Sequence, residues 1–142
     1  MAYWLAGIPA LIDPALLMLR LVIGVMFTLS GYFKLTDPER KEKMAQSLQT
    51  GGFPKTLAMP LSLVELLGGL AMVLGLVTAL AAFGLLALST VALITVAIPK
   101  LEGSGIHKLE NVLYAPEMLL VAGLVVLVAT GAGEWSLDRV LF

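Results

Sequence analysis

The chain has 142 residues, 59% of them hydrophobic, no cysteine, and nine Lys and Arg against ten Asp and Glu, for a formal net charge of −1. That near-neutral balance excludes a nucleic-acid surface, which needs clustered basic residues on a folded domain. The missing thiols exclude disulfides, iron–sulfur clusters and thiolate metal sites within the chain. The apolar residues gather into runs too long for a soluble core, so the solvent to reason with is a lipid bilayer.

Met1 to Asp13 lacks the charged start of a secretory signal and is expected to be a retained interfacial segment, with Tyr3 and Trp4 at headgroup depth. A first span is expected over about residues 14–35. It carries Arg20, Gly24, Phe27, Gly31 and Lys34 at alternating spacings of four and three, which is one helix face. The two glycines let another helix come close. A charge within hydrocarbon costs about 2.5 to 3.5 kcal/mol on insertion scales, so this face should meet the bundle.

Asp37-Pro38-Glu39 then reads as a helix start: an N-cap acceptor, a residue without an amide proton, and an acid suited to the dipole. The helix should run to about Gln49 and end at Gly51 and Gly52. Glu39 and Lys43 are spaced as an ion pair, and Met44 and Leu48 form a narrow apolar edge. The element is expected to lie on the headgroups as a cap over the bundle.

Thr56 to Pro99 holds 44 residues, enough for two crossings of about 20 residues each. Spans are expected over about 57–76 and 79–98, reversing at Gly75 to Ala79, where Gly75 can take a left-handed cap. Glu65, Gly69, Met72 and Leu76 share one face of the first. A fourth span is expected over about 112–131, with Glu117 inside it and Asn111 and Tyr114 nearer the loop. Beyond it, Asp138 should cap an adjoining backbone or pair with Arg139 or Arg20. The expected fold is an all-α integral membrane four-helix bundle, one transmembrane domain over residues 1–142, with a short interfacial helix in loop one.

Cations set the expected orientation. Loop one and its flanks hold Lys34, Arg40, Lys41, Lys43 and Lys55, loop three holds Lys100 and Lys108, and the other side has Arg139. Both loops should be cytoplasmic and both termini outside. Tyr32, Phe33, Phe53 and Tyr114 would anchor the loop side, and Trp135 the other.

The rise of 1.5 Å per residue puts Glu65 roughly 12 Å from the loop-side edge, Glu117 and Ser30 roughly 8 Å, and Arg20 about 22 Å. Helical side chains lean toward their own N-terminus, so Lys34, almost at the edge, leans toward the glutamates and Arg20 leans away. The candidate site is Glu65, Glu117, Lys34 and Ser30, with Tyr114 at its mouth. Arg20 stands apart or reaches Glu65 through water. Two readings remain open: an ion-pair network that fixes helix register, or a half-buried site for a quinone-like molecule or a proton relay, since carboxyl groups withdrawn from water exchange protons near neutrality. His107, alone in a glycine-containing loop, does not supply a buried axial ligand, so neither haem nor a metal is expected. The dispersed methionines read as packing filler.

Taken in order, the pieces are Arg20, Ser30-Gly31, Lys34-Leu35, Gly52, Pro54, Glu65-Leu66-Leu67-Gly68-Gly69, Leu74-Gly75-Leu76, Glu117, and Gly131-Ala132-Gly133-Glu134-Trp135-Ser136-Leu137-Asp138. This set resembles the DoxX family of small four-helix membrane proteins over about Leu16 to Leu141. The resemblance implies a bacterial or archaeal inner-membrane protein tied to redox systems, in which some members are small subunits of thiosulfate:quinone oxidoreductase. It implies a partner oxidoreductase subunit, or a homo-oligomer, and quinone as the molecule handled. Two positions depart from the family: Ser30 stands where a histidine is usual, and Ala79 where a basic residue is frequent. Ser30 cannot titrate near neutrality and Ala79 cannot anchor an anion.

Overall fold

The computed structural model describes residues 7–142; Tyr3 and Trp4 lie outside the described residues. Among those residues the chain is helical with no strand. Three helices are long and apolar enough to cross a membrane, or four when a bent pair is taken as one span. The protein is therefore an all-α integral membrane bundle.

Helix α1 (Ile12–Thr36) packs chiefly on α3 (Ala58–Leu74), and the contact runs through glycines. A methyl group on Gly31 would come within 2.5 Å of the Leu66 amide nitrogen and 2.8 Å of the Ser62 carbonyl oxygen. One on Gly69 would meet the Thr28 amide nitrogen at 2.5 Å, and one on Gly24 would meet that of Val73 at 2.9 Å. The two backbones touch along the shared face. In lipid, where apolar side chains gain nothing by leaving solvent, such close van der Waals packing is what drives helix association.

Helix α2 (Pro38–Thr50) starts as its sequence dictates: Pro38 is at the first position and the Asp37 carboxylate accepts from the Glu39 amide at 3.0 Å. It ends with Phe53 N–H bonded to Leu48 O and Gly52 N–H to Gln49 O, with Gly52 at φ +84°, a left-handed cap. Its Leu48 is buried and Met44 half-buried. Lys43 makes no ion pair with Glu39 among the described residues; it borders a cavity described below.

After α3, Gly75 takes φ +69° and Leu76 N–H reaches back to Ala71 O at 2.9 Å, so the chain reverses within three residues into α4 (Thr78–Ala92). Val77 is held at φ +48°, a conformation that a β-branched residue rarely adopts. Asp138 explains its persistence. Its carboxylate accepts from the amides of both Val77 and Thr78, and its own amide donates to Gly75 O at 2.8 Å. The acid near the C-terminus thus caps α4.

The span that begins with α4 continues through a wider π turn, Leu93–Ala97, into α5 (Ile98–Lys100). Pro99 accounts for the turn: it lacks an amide proton and its ring clashes with the carbonyl four residues back. The Ile98 amide instead bonds Leu93 O.

The expected continuous fourth span is not continuous. Residues Ile106–Tyr114 form α6 and Pro116–Thr130 form α7, bent by 63° at Ala115. Pro116 forces Ala115 into extended backbone (φ −63°, ψ 133°), as the residue before a proline prefers. Alone, α7 is about 22 Å long, short of the ~30 Å hydrocarbon layer. Helix α6 buries none of its residues and carries Ile106, Leu109 and Leu113 exposed on one face. Helix α7 packs on α4, and Leu85, Met72, Leu124 and Leu127 form a fully buried core between the helices. A last short helix, α8 (Leu137–Leu141), is capped by Ser136.

The glycine contact gives a paired prediction. Gly31→Ala should lower stability in detergent or lipid by about 1–3 kcal/mol, because its neighbours are backbone atoms that cannot turn aside. Gly84→Ala, with nothing within 4 Å of its added carbon, should be neutral or gain up to ~1 kcal/mol from helix propensity. Thermal unfolding of both variants checks the contrast.

Candidate functional site

The approach of α1 to α3 determines where the polar side chains meet. Ser30 and Lys34 are one turn apart on α1, and Gly31 between them lies against Leu66. Glu65 is therefore delivered directly between the two. Lys34 Nζ lies 2.9 Å from both Oε1 and Oε2 of Glu65, and the Ser30 hydroxyl donates to Oε2 at 3.1 Å. Glu65 is buried at 5% exposure, while the Lys34 side chain keeps a quarter of its surface open. A carboxylate withdrawn from water is tolerated when paired and hydrogen-bonded, and this one accepts three hydrogen bonds from two donor groups.

Two of the trio, Lys34 and Glu65, line a cavity of about 850 Å³ bounded by α1, α2, α3, α4, the π turn, α5 and α7, and Ser30 does not reach its lining. Leu61, Val64, Leu88 and Val91 make its walls apolar, and Gly84 leaves room at its side. Glu117 also lines the cavity, half-buried in the first turn of α7, where a negative charge is favoured by the helix dipole. It makes no hydrogen bond with the trio, so the expected four-member cluster is a bonded trio and a separate carboxylate on the same cavity's lining.

Tyr114 is not at the mouth. It ends α6 on the far side of the Ala115 bend, is 80% exposed and does not line the cavity. The sequence reading extended one helix through Pro116, which would have stacked Tyr114 on Glu117; the proline turns the ring away. Arg20 is also remote. Its guanidinium, 2% exposed, donates to Ala132 O and Trp135 O at 2.9 Å each. It clasps the C-terminal segment at the end of the bundle that holds the described termini. Among the described residues no three His, Asp or Glu side chains gather to hold a metal.

The sequence reading missed the cations that face the cavity. Arg40 and Lys43 from α2 and Lys100 from α5 line it, together with Met44, Ser47 and Leu48. A signal was available: residues 40, 43, 44, 47 and 48 share one helix face, so the apolar edge of α2 brings two exposed cations to the border of the cavity.

With this geometry in view, comparison with known proteins identifies the group. A model of the DoxX family matches residues 15–98, which include the trio and the α3–α4 reversal, and the chain belongs to the DoxX family. It is 25% identical over 134 residues to Inner membrane protein YqjF of Escherichia coli (strain K12), covering 91% of this chain and 93% of that one. No solved structure matches the chain.

The trio yields a double-mutant prediction. Glu65→Gln should destabilise by about 1–3 kcal/mol by leaving the Lys34 ammonium without its counter-ion. The Glu65→Gln/Lys34→Met double variant should lose at least ~1 kcal/mol less than the sum of the single changes. Denaturant unfolding in micelles measures the coupling; strict additivity would show that the two groups do not interact.

Proposed function

We propose that the chain is a membrane subunit of a respiratory or sulfur-compound redox system, and that its cavity receives the head group of an isoprenoid quinone. The observation that carries this reading is the cavity itself: apolar along the helices, and lined by a hydrogen-bonded carboxylate and ammonium and by a second, separate carboxylate. The residues fit a quinone. Lys34 Nζ bonds both oxygens of the one Glu65 carboxylate, and an ammonium has three donors, so donor capacity is left for a ligand carbonyl. A bound quinone accepts two electrons and two protons, and the electrons come from a partner oxidoreductase subunit. In this reading Glu65 and Glu117, which both line the cavity, pass protons to the head group, and the apolar walls of α3 and α4 exclude water from the tail.

The setting is the cell's inner membrane, in keeping with the name of the Escherichia coli relative. Loops one and three are cytoplasmic, because seven of the nine cations lie at that end and cytoplasmic loops are enriched in Lys and Arg; both termini are outside.

One observation favours a second reading. Both Glu65 oxygens are already satisfied within the protein, so the pair can serve helix register alone, in a non-catalytic scaffold or small-molecule carrier. A photoreactive quinone analogue in lipid nanodiscs separates the two. The quinone reading predicts labelling of the cavity segments of α3 and α4, lowered at least several-fold by Gly84→Leu, which fills the cavity beside a residue that no other atom crowds. Labelling spread evenly over the lipid-facing helices and indifferent to Gly84→Leu would leave the scaffold reading standing. Copurification from membranes tests the partner: a soluble oxidoreductase recovered with the chain supports the subunit reading, and a homo-oligomer alone opposes it.

A further inference from the structure

The mouth of the cavity carries a charge pattern that a neutral quinone head does not require. Four cations line the cavity, Lys34, Arg40, Lys43 and Lys100, with two carboxylates, Glu65 and Glu117. Lys34 and Glu65 neutralise each other. Three cations remain against Glu117, and among the described residues none of the three forms an ion pair. Their convergence is selective. Lys41, Lys55 and Lys108 lie in or beside the same two loops but do not line the cavity, so a general surplus of loop charge does not account for the arrangement.

The three come from separate elements. Arg40 and Lys43 lie on the face of α2 that borders the cavity, one turn apart, and Lys100 ends the span that the π turn redirects. Arg40 is held with its guanidinium 5.0 Å from the centre of the Phe33 ring, which covers one face and leaves the edge N–H groups for an acceptor. The cavity that these cations line is otherwise largely apolar, with Phe53, Leu57, Leu61 and Val91 among its residues. A group of unpaired cations on the lining of a greasy chamber is complementary to an amphiphile with an anionic head.

We propose that this mouth is a binding site for the phosphate of an anionic membrane lipid, with Arg40, Lys43 and Lys100 on the phosphate and an acyl chain along the cavity wall. The site is distinct from the Lys34–Glu65 pair and does not depend on the quinone reading. A free phosphate ion offers the same head-group chemistry. The lipid is the source we assign, because the cavity that the cations line is otherwise largely apolar.

The test uses the full chain in nanodiscs of equal phosphatidylglycerol and phosphatidylcholine, extracted gently, with retained lipid read by native mass spectrometry. The wild type should retain phosphatidylglycerol in preference to phosphatidylcholine. The Arg40→Gln/Lys43→Gln/Lys100→Gln variant should lower that preference on the order of 100-fold, because it removes the charge-assisted hydrogen bonds to the phosphate, each worth roughly tenfold. The Lys41→Gln/Lys55→Gln/Lys108→Gln variant removes as many charges from the same end and should leave most of the preference intact. Equal losses in the two variants would reduce the effect to general surface attraction and overturn the site. Gly84→Leu provides an arm that leaves every cation in place: it should reduce retention by crowding the chain, and undiminished retention would overturn the proposed position of the acyl chain. Displacement of the lipid by millimolar inorganic phosphate would reassign the site to a soluble anion and overturn the lipid assignment.

Discussion

Backbone contact between the first and third helices is the constraint from which the rest of the molecule follows. Gly24 and Gly31 on one side and Gly69 on the other remove the side chains that would keep the two helices apart. The bilayer gives no hydrophobic reward for bringing apolar side chains together, so contact at backbone distance must supply the association energy. The same contact shortens the distance that polar groups must reach. A serine and a lysine one turn apart meet a glutamate on the opposing helix without spanning a side-chain layer, and all three Glu65 hydrogen bonds form at 3.1 Å or less.

The two ends of the bundle are built differently. At the end with the described termini, the Gly75 reversal, the Asp138 cap on the Val77 and Thr78 amides and the Arg20 clasp on the C-terminal carbonyls tie four segments together. A methyl group on Gly75 would lie 2.7 Å from Ser136 Cβ, which shows how closely the reversal and the C-terminal turn are packed. At the loop end the α3–α4 pair has no such tie. The π turn before Pro99 and the inward face of α2 enclose a cavity there instead of a packed core. A rigid end and an open end on the same helices allow a chamber to exist without loss of the fold.

Much of this is legible in the residues. The glycine spacing on α1, the Asp37-Pro38 start of α2 and the reversal at Gly75 each follow from a local rule that the bilayer does not override. Lys34 and Glu65 can be matched because each is a charge at similar depth on a glycine-bearing face. The positions that cannot be matched depend on chain direction beyond one element. Pro116 bends the last span by 63° and carries Tyr114 away from Glu117, a rotation that depth arithmetic along one straight helix cannot register. Arg20 finds backbone carbonyls more than a hundred residues away, and carbonyls leave no mark in a sequence. Arg40 and Lys43 look like ordinary loop cations until α2 is laid against the bundle and its apolar edge is seen to bring them to the border of the cavity.

The most direct test of the account is the contact between the Lys34 ammonium and the Glu65 carboxylate in a bilayer. Solid-state NMR dipolar recoupling between lysine ¹⁵Nζ and glutamate ¹³Cδ, assigned by loss of the signal in Lys34→Met, reads that distance without perturbing the wild-type protein. The account predicts strong dephasing from a nitrogen 2.9 Å from a carboxylate oxygen. Its absence in well-folded protein would mean that the two helices do not meet at Gly31, and the wall of the cavity would not exist as described.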